Sequence, residues 1–97
     1  MVISDYIRAE LENVAKEFEL PKLILFGSRA TGNCWERSDI DLAANFNSPR
    51  QYLDFCERVE EIPTLLMFDV VNLSSDMIDF NVRKSIRDEG VVLYEKV

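Results

Sequence analysis

The sequence has no histidine and only two cysteines among its 97 residues. Cys34 and Cys56 are far apart, so neither belongs to a paired metal-binding spacing such as C-x-x-C. Without histidine, nothing completes a zinc site. We therefore expect two free thiols in a reducing compartment, and neither a zinc domain nor a disulfide scaffold.

Long apolar runs are also missing. No segment approaches the ~20 apolar residues that a membrane-spanning helix needs, and the first residues do not have the basic-then-apolar pattern of a signal peptide. We expect a cytoplasmic protein without membrane contact. The length predicts a single domain over residues 1–97, with one core and no room for a separate acceptor-binding domain.

Positive charge is scarce. The chain has 11 Lys and Arg residues against 18 Asp and Glu residues, a net charge of −7. Affinity for DNA or RNA comes largely from Lys and Arg contacts with phosphates, so we expect no binding of free nucleic acid. The acidic balance fits a nucleotide delivered with its metal, a cationic small molecule or a basic protein partner, and it does not choose among them.

Apolar periodicity predicts alternating helices and strands, which indicates an α/β sheet with helices packed against it. Ser4 and Ser48 are the expected N-caps of the first and third helices, and Ser74 or Ser75 that of the fourth. We predict helices over 4–19, 28–32, 48–61 and about 75–89, and strands over 23–26, 39–46, 65–73 and 91–95.

The segment from Leu25 to Leu42 is the most informative. An apolar strand runs into Gly27-Ser28, a turn whose free N–H groups and hydroxyl suit phosphate oxygens at a helix start. Asp39 and Asp41 then lie two positions apart on a second strand, so they share one face with Cα atoms about 6.6 Å apart. Such carboxylates can converge on hard divalent cations, which prefer oxygen ligands. This combination is typical of metal-assisted phosphoryl chemistry.

These residues carry a resemblance to a known family. Gly27-Ser28, Gly32 and Ser38-Asp39-Ile40-Asp41-Leu42 resemble the signature of the minimal nucleotidyltransferases, members of the DNA polymerase β-like nucleotidyltransferase superfamily. The family also expects a third acidic residue on a later apolar strand, and Asp69 supplies it. The resemblance implies a fold like the polymerase β palm. This is a mixed sheet of about four strands in which the first two long strands are antiparallel neighbours.

The resemblance also implies roles for the residues of the motif. Asp39, Asp41 and Asp69 would be the catalytic residues and would hold two Mg²⁺ ions, with Asp69 completing the second site and helping to activate the attacking hydroxyl. Gly27 and Ser28 would bind the β- and γ-phosphates of the nucleotide. Pyrophosphate would leave in an in-line displacement.

Four further residues are open to two interpretations each. Arg29 either neutralises phosphate charge or is an exposed helix residue, and Ser38 either orients Asp39 or begins the strand; we include both among the nucleotide-binding residues. Trp35 either contacts a base or partner or folds back onto its own core. Phe80 lies off the apolar stripe of its helix, as a stray surface residue or as part of a partner surface.

The resemblance is closest to stand-alone family members encoded beside a small helical HEPN protein. In such pairs the nucleotidyltransferase is the antitoxin, which complexes and in some cases adenylylates the HEPN ribonuclease toxin. We therefore expect transfer of a nucleoside monophosphate, with AMP from ATP as the leading case, to an acceptor hydroxyl of a HEPN-type partner. The alternatives are a non-catalytic module that masks its partner, and an aminoglycoside-type small-molecule nucleotidyltransferase with its acceptor site at a homodimer interface.

Overall fold

A computed structural model describes residues 1–97 as four helices and four strands. Helices and strands occur in the order that the apolar pattern predicts. None of the helices combines the length and apolarity needed to cross a membrane. The elements are α1 Asp5–Glu17, β1 Lys22–Phe26, α2 Ser28–Thr31, β2 Ile40–Ala44, α3 Pro49–Val59, β3 Phe68–Asn72, α4 Phe80–Glu89 and β4 Val91–Glu95.

The four strands form one mixed sheet in the order β3-β2-β1-β4. β1 is antiparallel to both β2 and β4, whereas β2 and β3 are parallel. The prediction of a mixed sheet with antiparallel first and second strands is confirmed. Because β1 and β2 are antiparallel neighbours, the turn that leaves β1 and the segment that enters β2 meet at the same end of the sheet.

Alternation along the strands divides the apolar residues between two faces. One face packs against α1 and α3 and contains the larger core, which includes Leu11 of α1, Phe55 of α3 and Leu42 of β2. The other face packs against α4 through a smaller cluster of Phe26, Ala43 and Ile86. The second face is therefore only partly covered, and this incomplete cover leaves room for a site.

Two of the predicted helix caps are confirmed and one is wrong. The side chain of Ser4 accepts a hydrogen bond from the backbone of α1, and that of Ser48 does so at α3. The N-cap of α4 is Asp79, not Ser74 or Ser75, and its side chain accepts from Asn81 N. The Ser74 hydroxyl is already engaged, since it accepts from Phe46 N at 3.2 Å and cannot cap a helix.

The second and third strands are shorter than predicted. β2 begins at Ile40, not at Asp39, and β3 begins at Phe68, not at Leu65. The segment before β3 turns because Leu66 N donates to the hydroxyl of Thr64 at 3.2 Å. This turn leaves the Leu65 side chain fully exposed.

Candidate active site

Asp41 and Asp69 are direct partners in the parallel register of β2 and β3. Register partners on neighbouring strands point to the same face, with backbones about 4.8 Å apart. Asp39 lies two residues before Asp41, in the segment that enters β2. The structure thus brings the three predicted aspartates to one end of the sheet, as expected if the third strand pairs with the second.

The aspartates continue the partly covered face beyond α4. The next pair of residues on that face, Ala43 and Val71, belongs to the apolar cluster beneath α4. Asp41 is half-buried, whereas Asp39 and Asp69 are exposed. One face of the sheet is therefore apolar under the helix and acidic where the helix no longer covers it.

Burial of the Asp41 carboxyl raises its pKa above the ordinary value, and the nearby charges of Asp69 and then Asp39 raise it further. Desolvation and like charges both disfavour the ionised form of a carboxyl group. A cation among the three carboxylates would offset the repulsion between their like charges, because each carboxylate would be attracted to it. The electrostatics therefore favour a positively charged ligand at this end of the sheet.

The turn after β1 packs directly against Asp41. Phe26, the last residue of β1, is the register partner of Asp41, so Gly27 follows beside the same carboxylate. Gly27 has φ of 75°, and a Cβ at this position would overlap Oδ2 of Asp41. Both the backbone conformation and the close approach require glycine here. Ser28 then begins α2, which places the predicted phosphate-binding turn beside the aspartates.

The interpretation of Arg29 as an exposed helix residue is wrong, because the side chain is only 5 % exposed. Its guanidinium donates to the backbone carbonyls of Ser38, Val2 and Glu36 at 2.9, 3.0 and 3.1 Å. A guanidinium engaged in this way is poorly placed to contact phosphate directly. The sequence analysis missed the structural role, which no local pattern around Arg29 signals.

Ser38 closes a short turn before β2. Its hydroxyl accepts from Trp35 N at 3.1 Å, and its own N–H donates to Trp35 O at 3.0 Å. The interpretation that Ser38 begins the strand is wrong, since β2 begins two residues later. Its predicted contact with the nucleotide stays a prediction.

Comparison with known proteins identifies the family. The family model described as "Polymerase beta, Nucleotidyltransferase" matches residues 9–97, a range that includes every predicted site residue. The chain belongs to this family. The predicted enzyme class, a nucleotidyltransferase, is thereby confirmed.

A relative of this nucleotidyltransferase is a Methanocaldococcus jannaschii protein, MJ1215, whose name describes it as a candidate protein adenylyltransferase. The two sequences are 28% identical over 79 residues, which cover 81% of this chain and 86% of the relative.

Three solved structures share the fold of this nucleotidyltransferase. A toxin–antitoxin with AMP-PNP superposes with a TM-score of 0.73 at 18% identity, covering 92% of this chain and 73% of that one. A mutant of the toxin–antitoxin MntA-HpeT gives 0.72 at 16% identity, with the same coverage of 92% and 73%. A candidate nucleotidyltransferase from Sulfolobus solfataricus gives 0.59 at 21% identity, covering 94% and 78%. The predicted fold is confirmed.

The donor set of this nucleotidyltransferase fits a hard divalent cation, because every candidate ligand is a carboxylate oxygen. The side chains do not form a ready coordination group, since no three His, Cys, Asp or Glu residues stand close enough together to hold a metal ion. The backbone positions are suitable, however, because Asp41 and Asp69 are register partners.

The segments that lead to Asp39 and Asp69 carry an exposed tryptophan and an open groove, and the sequence analysis considered only the tryptophan. Trp35 is 69% exposed, so the interpretation that it folds onto its own core is wrong. An open groove of about 510 Å³ begins at the residue after Trp35 in the chain, and residues 36–37 and 65–67 line its walls. Both walls lead into the site, since Arg37 precedes Asp39 and Met67 precedes Asp69 by two residues each. The sequence analysis did not predict this groove, because it assigned residues 65–67 to a strand. Pro63-Thr64 is a turn signal that could have placed the strand later.

Proposed function

We propose that this chain is a Mg²⁺-dependent adenylyltransferase that moves AMP from ATP to a hydroxyl group of a protein partner. The observation that carries the proposal is the register pairing of Asp41 with Asp69, with Asp39 and the Gly27 turn beside the pair. The relative named for protein adenylylation and the toxin–antitoxin structure with AMP-PNP support the choice of nucleotide and acceptor.

Asp39 and Asp41 would hold the metal ions that accompany the triphosphate, and Asp69 would complete the second of two sites. Two divalent ions supply charge stabilisation at the entering and leaving oxygens of a phosphoryl transfer. The half-buried Asp41 would be held rigidly by β2, while the exposed Asp69 faces solvent and an incoming acceptor. The three residues thus divide between binding the nucleotide and meeting the acceptor.

The reaction is an in-line displacement at the α-phosphorus of ATP. The acceptor oxygen forms a bond to the α-phosphorus, and the bond from that phosphorus to the oxygen bridging to the β-phosphate breaks. Pyrophosphate leaves with the electron pair, and the acceptor proton passes to the carboxylate of Asp69. The turn at Gly27-Ser28 would hold the β- and γ-phosphates, because it lies beside Asp41 and begins α2.

We further propose that the acceptor is a small helical HEPN-type toxin and that this chain is its antitoxin, acting in the cytoplasm as a single domain. The exposed Trp35 and the neighbouring groove offer an apolar contact next to the carboxylates. The net charge of −7 favours a basic partner over a free nucleic acid. A homodimer is the alternative assembly.

The test is an adenylylation assay with ATP labelled at the α-phosphate, Mg²⁺ and the protein encoded beside this chain. The wild type should label the partner, and Asp69→Asn should abolish the labelling. Asp76→Asn is the matched control, because Asp76 lies on an exposed turn after β3. Tight complex formation without label would favour the masking module. A second reaction offers an aminoglycoside as acceptor, and label on the aminoglycoside with none on the protein would favour the small-molecule enzyme.

A further inference from the structure

Arg29 is the one charged residue that is buried in this chain. It forms none of the ion pairs of the structure, so no carboxylate compensates its charge. A buried charge is costly unless hydrogen bonds replace its hydration. Here each guanidinium nitrogen donates to a backbone carbonyl, Nε to Ser38, Nη1 to Val2 and Nη2 to Glu36. The side chain is thus buried as a charge whose hydration is replaced by backbone carbonyls alone, and the choice of these three carbonyls needs an explanation.

The three carbonyls belong to two segments that lie outside the helices and strands. Val2 lies in the segment before α1, and its N–H also donates to the Arg29 carbonyl at 2.7 Å. Glu36 and Ser38 lie in the loop between α2 and β2, which has no helix or strand of its own. The loop leads directly into Asp39, so its position sets that of the first predicted metal ligand.

Arg29 also follows the phosphate turn directly. Ser28 is its neighbour in the chain, and Gly27 packs against Asp41. One side chain therefore connects the turn expected to bind phosphate with the loop that carries Asp39. Neither segment is linked to the other by sheet hydrogen bonds.

We infer that Arg29 is a positioning residue that holds Asp39, through the Ser38 carbonyl, at a fixed place relative to the Gly27-Ser28 turn. Its catalytic consequence rests on the proposed function, whereas its effect on the order of the loop does not. The planar guanidinium presents donors in a rigid fork, and the single ammonium of lysine cannot reach three separate carbonyls. Arg29→Lys should therefore keep the charge but release the loop.

The chain contains its own reporter of this effect. Trp35 is the only tryptophan, and its backbone N–H donates to the hydroxyl of Ser38 inside the loop. Fluorescence anisotropy and acrylamide quenching of Trp35 thus measure the order of the loop without a label. The matched control is Arg50→Lys, because Arg50 is exposed on α3, which packs on the face of the sheet opposite the aspartates.

The experiment compares wild type, Arg29→Lys and Arg50→Lys in these measurements and in AMP transfer with ATP and the partner. Arg29→Lys should lower the anisotropy of Trp35, increase its quenching and reduce kcat by about 10- to 100-fold, the usual effect of losing an outer contact to a metal ligand. KM for ATP should change much less, because the nucleotide-binding turn remains. Arg50→Lys should match the wild type in every measurement.

A purely structural Arg29 would give a different result. Arg29→Lys would then lower the Tm while leaving Trp35 anisotropy and kcat at wild-type values, and that result would overturn the inference. If the variant does not fold, the backbone order parameter of Asp39 in the wild type, measured by amide relaxation, tests the inference instead. Asp39 should be as rigid as α1, with an order parameter near 0.85, and a value below about 0.6 would contradict the inference. A wild type that transfers no AMP would refute the proposed function, and the loop measurements would still decide the role of Arg29.

Discussion

Gly27 lies so close to the carboxylate of Asp41 that a Cβ at position 27 would overlap Oδ2. The contact follows from the antiparallel register of β1 and β2, in which Asp41 pairs with the residue before Gly27. The turn expected to hold phosphate and the residue expected to hold metal are therefore built as one unit. A change on either side of this contact should disturb the other.

Gly27→Ala should abolish nucleotidyl transfer, because the added methyl group must displace the Asp41 carboxylate. Gly32→Ala is the matched control. Gly32 also has positive φ, at 90°, but a Cβ there would meet no atom within 4 Å. Gly32 is in the left-handed helical region, where alanine costs about 1–2 kcal/mol. Gly27 combines φ of 75° with ψ of −157°, a region that glycine alone commonly adopts, so Gly27→Ala should cost more. Thermal unfolding should thus show a larger loss for Gly27→Ala, and an activity assay on the folded proteins should show a loss only for Gly27→Ala. Equal activity of the two variants would contradict the argument.

Asp39→Asn and Asp41→Asn should each abolish Mg²⁺-dependent binding of ATP, because each removes a charged ligand from the proposed metal sites. Calorimetric titration with ATP in the presence and absence of Mg²⁺ measures this directly. Binding of Mg-ATP to the folded state should also raise the Tm of the wild type and leave that of the variants unchanged. If both variants bind Mg-ATP as tightly as the wild type, these residues are not the metal ligands.

Stability should depend on pH through Asp41. Its pKa is raised in the folded state by burial and by Asp69 and Asp39. The folded state thus binds the proton more tightly than the unfolded chain, whose Asp pKa is about 3.9. The stability that this proton contributes is present below the unfolded pKa and is lost as pH rises through the folded pKa. In metal-free buffer Asp41→Asn should therefore melt above the wild type at neutral pH, and the difference should shrink towards about pH 3.

Thermal melts of the two proteins across that pH range check the prediction, with Asp76→Asn as the control on an exposed turn. Saturating Mg²⁺ and ATP should reverse the order, because only the wild type gains free energy from the ligand. A wild type that is more stable than Asp41→Asn at neutral pH without metal would contradict the electrostatic argument.

Much of this fold follows from local patterns in the sequence. Caps such as Ser4 and Ser48 mark helix starts reliably because each side chain bonds to the turn that follows it. The aspartates were predicted because acidic residues between apolar neighbours on a strand have no ordinary structural explanation. The pairing of Asp41 with Asp69 depends on the register of two strands that are distant in sequence. The sequence predicts this pairing only on the condition that the third strand lies beside the second.

The features that could not be predicted from the sequence depend on contacts between residues that are distant in the chain. The Ser74 hydroxyl suits a helix cap by its local pattern, but it accepts a hydrogen bond instead from Phe46 N, two residues after the end of β2. Arg29 looks like an exposed helix residue, and only the tertiary structure brings Val2 and Ser38 to its guanidinium. In both cases a hydrogen bond to a residue distant in sequence determines where the side chain lies, and the local pattern does not.

Trp35→Ala should reduce AMP transfer more than it reduces affinity for ATP. The side chain is exposed in the loop that leads to Asp39, one residue before the groove begins, so it is placed to touch the acceptor. An exposed aromatic anchor at an interface commonly contributes enough that its loss weakens binding by roughly tenfold or more. The measurement is kcat/KM for the protein acceptor together with Kd for Mg-ATP. Leu53→Ala, on the exposed side of α3, should change neither value. A larger effect on ATP affinity would instead indicate that Trp35 contacts the base.

Phe80→Asp should weaken assembly with a partner or a second copy without lowering affinity for Mg-ATP. Phe80 is 73% exposed at the first residue of α4, so its substitution removes no part of the core. An aspartate at this position also suits the positive end of the helix, and the folded monomer should therefore keep its stability. Light scattering should show a lower mass for Phe80→Asp than for the wild type at equal concentration. Leu53→Asp, another exposed apolar position, should leave the mass unchanged. If Phe80→Asp has the mass of the wild type, the partner surface lies elsewhere and Trp35 remains the only anchor to test.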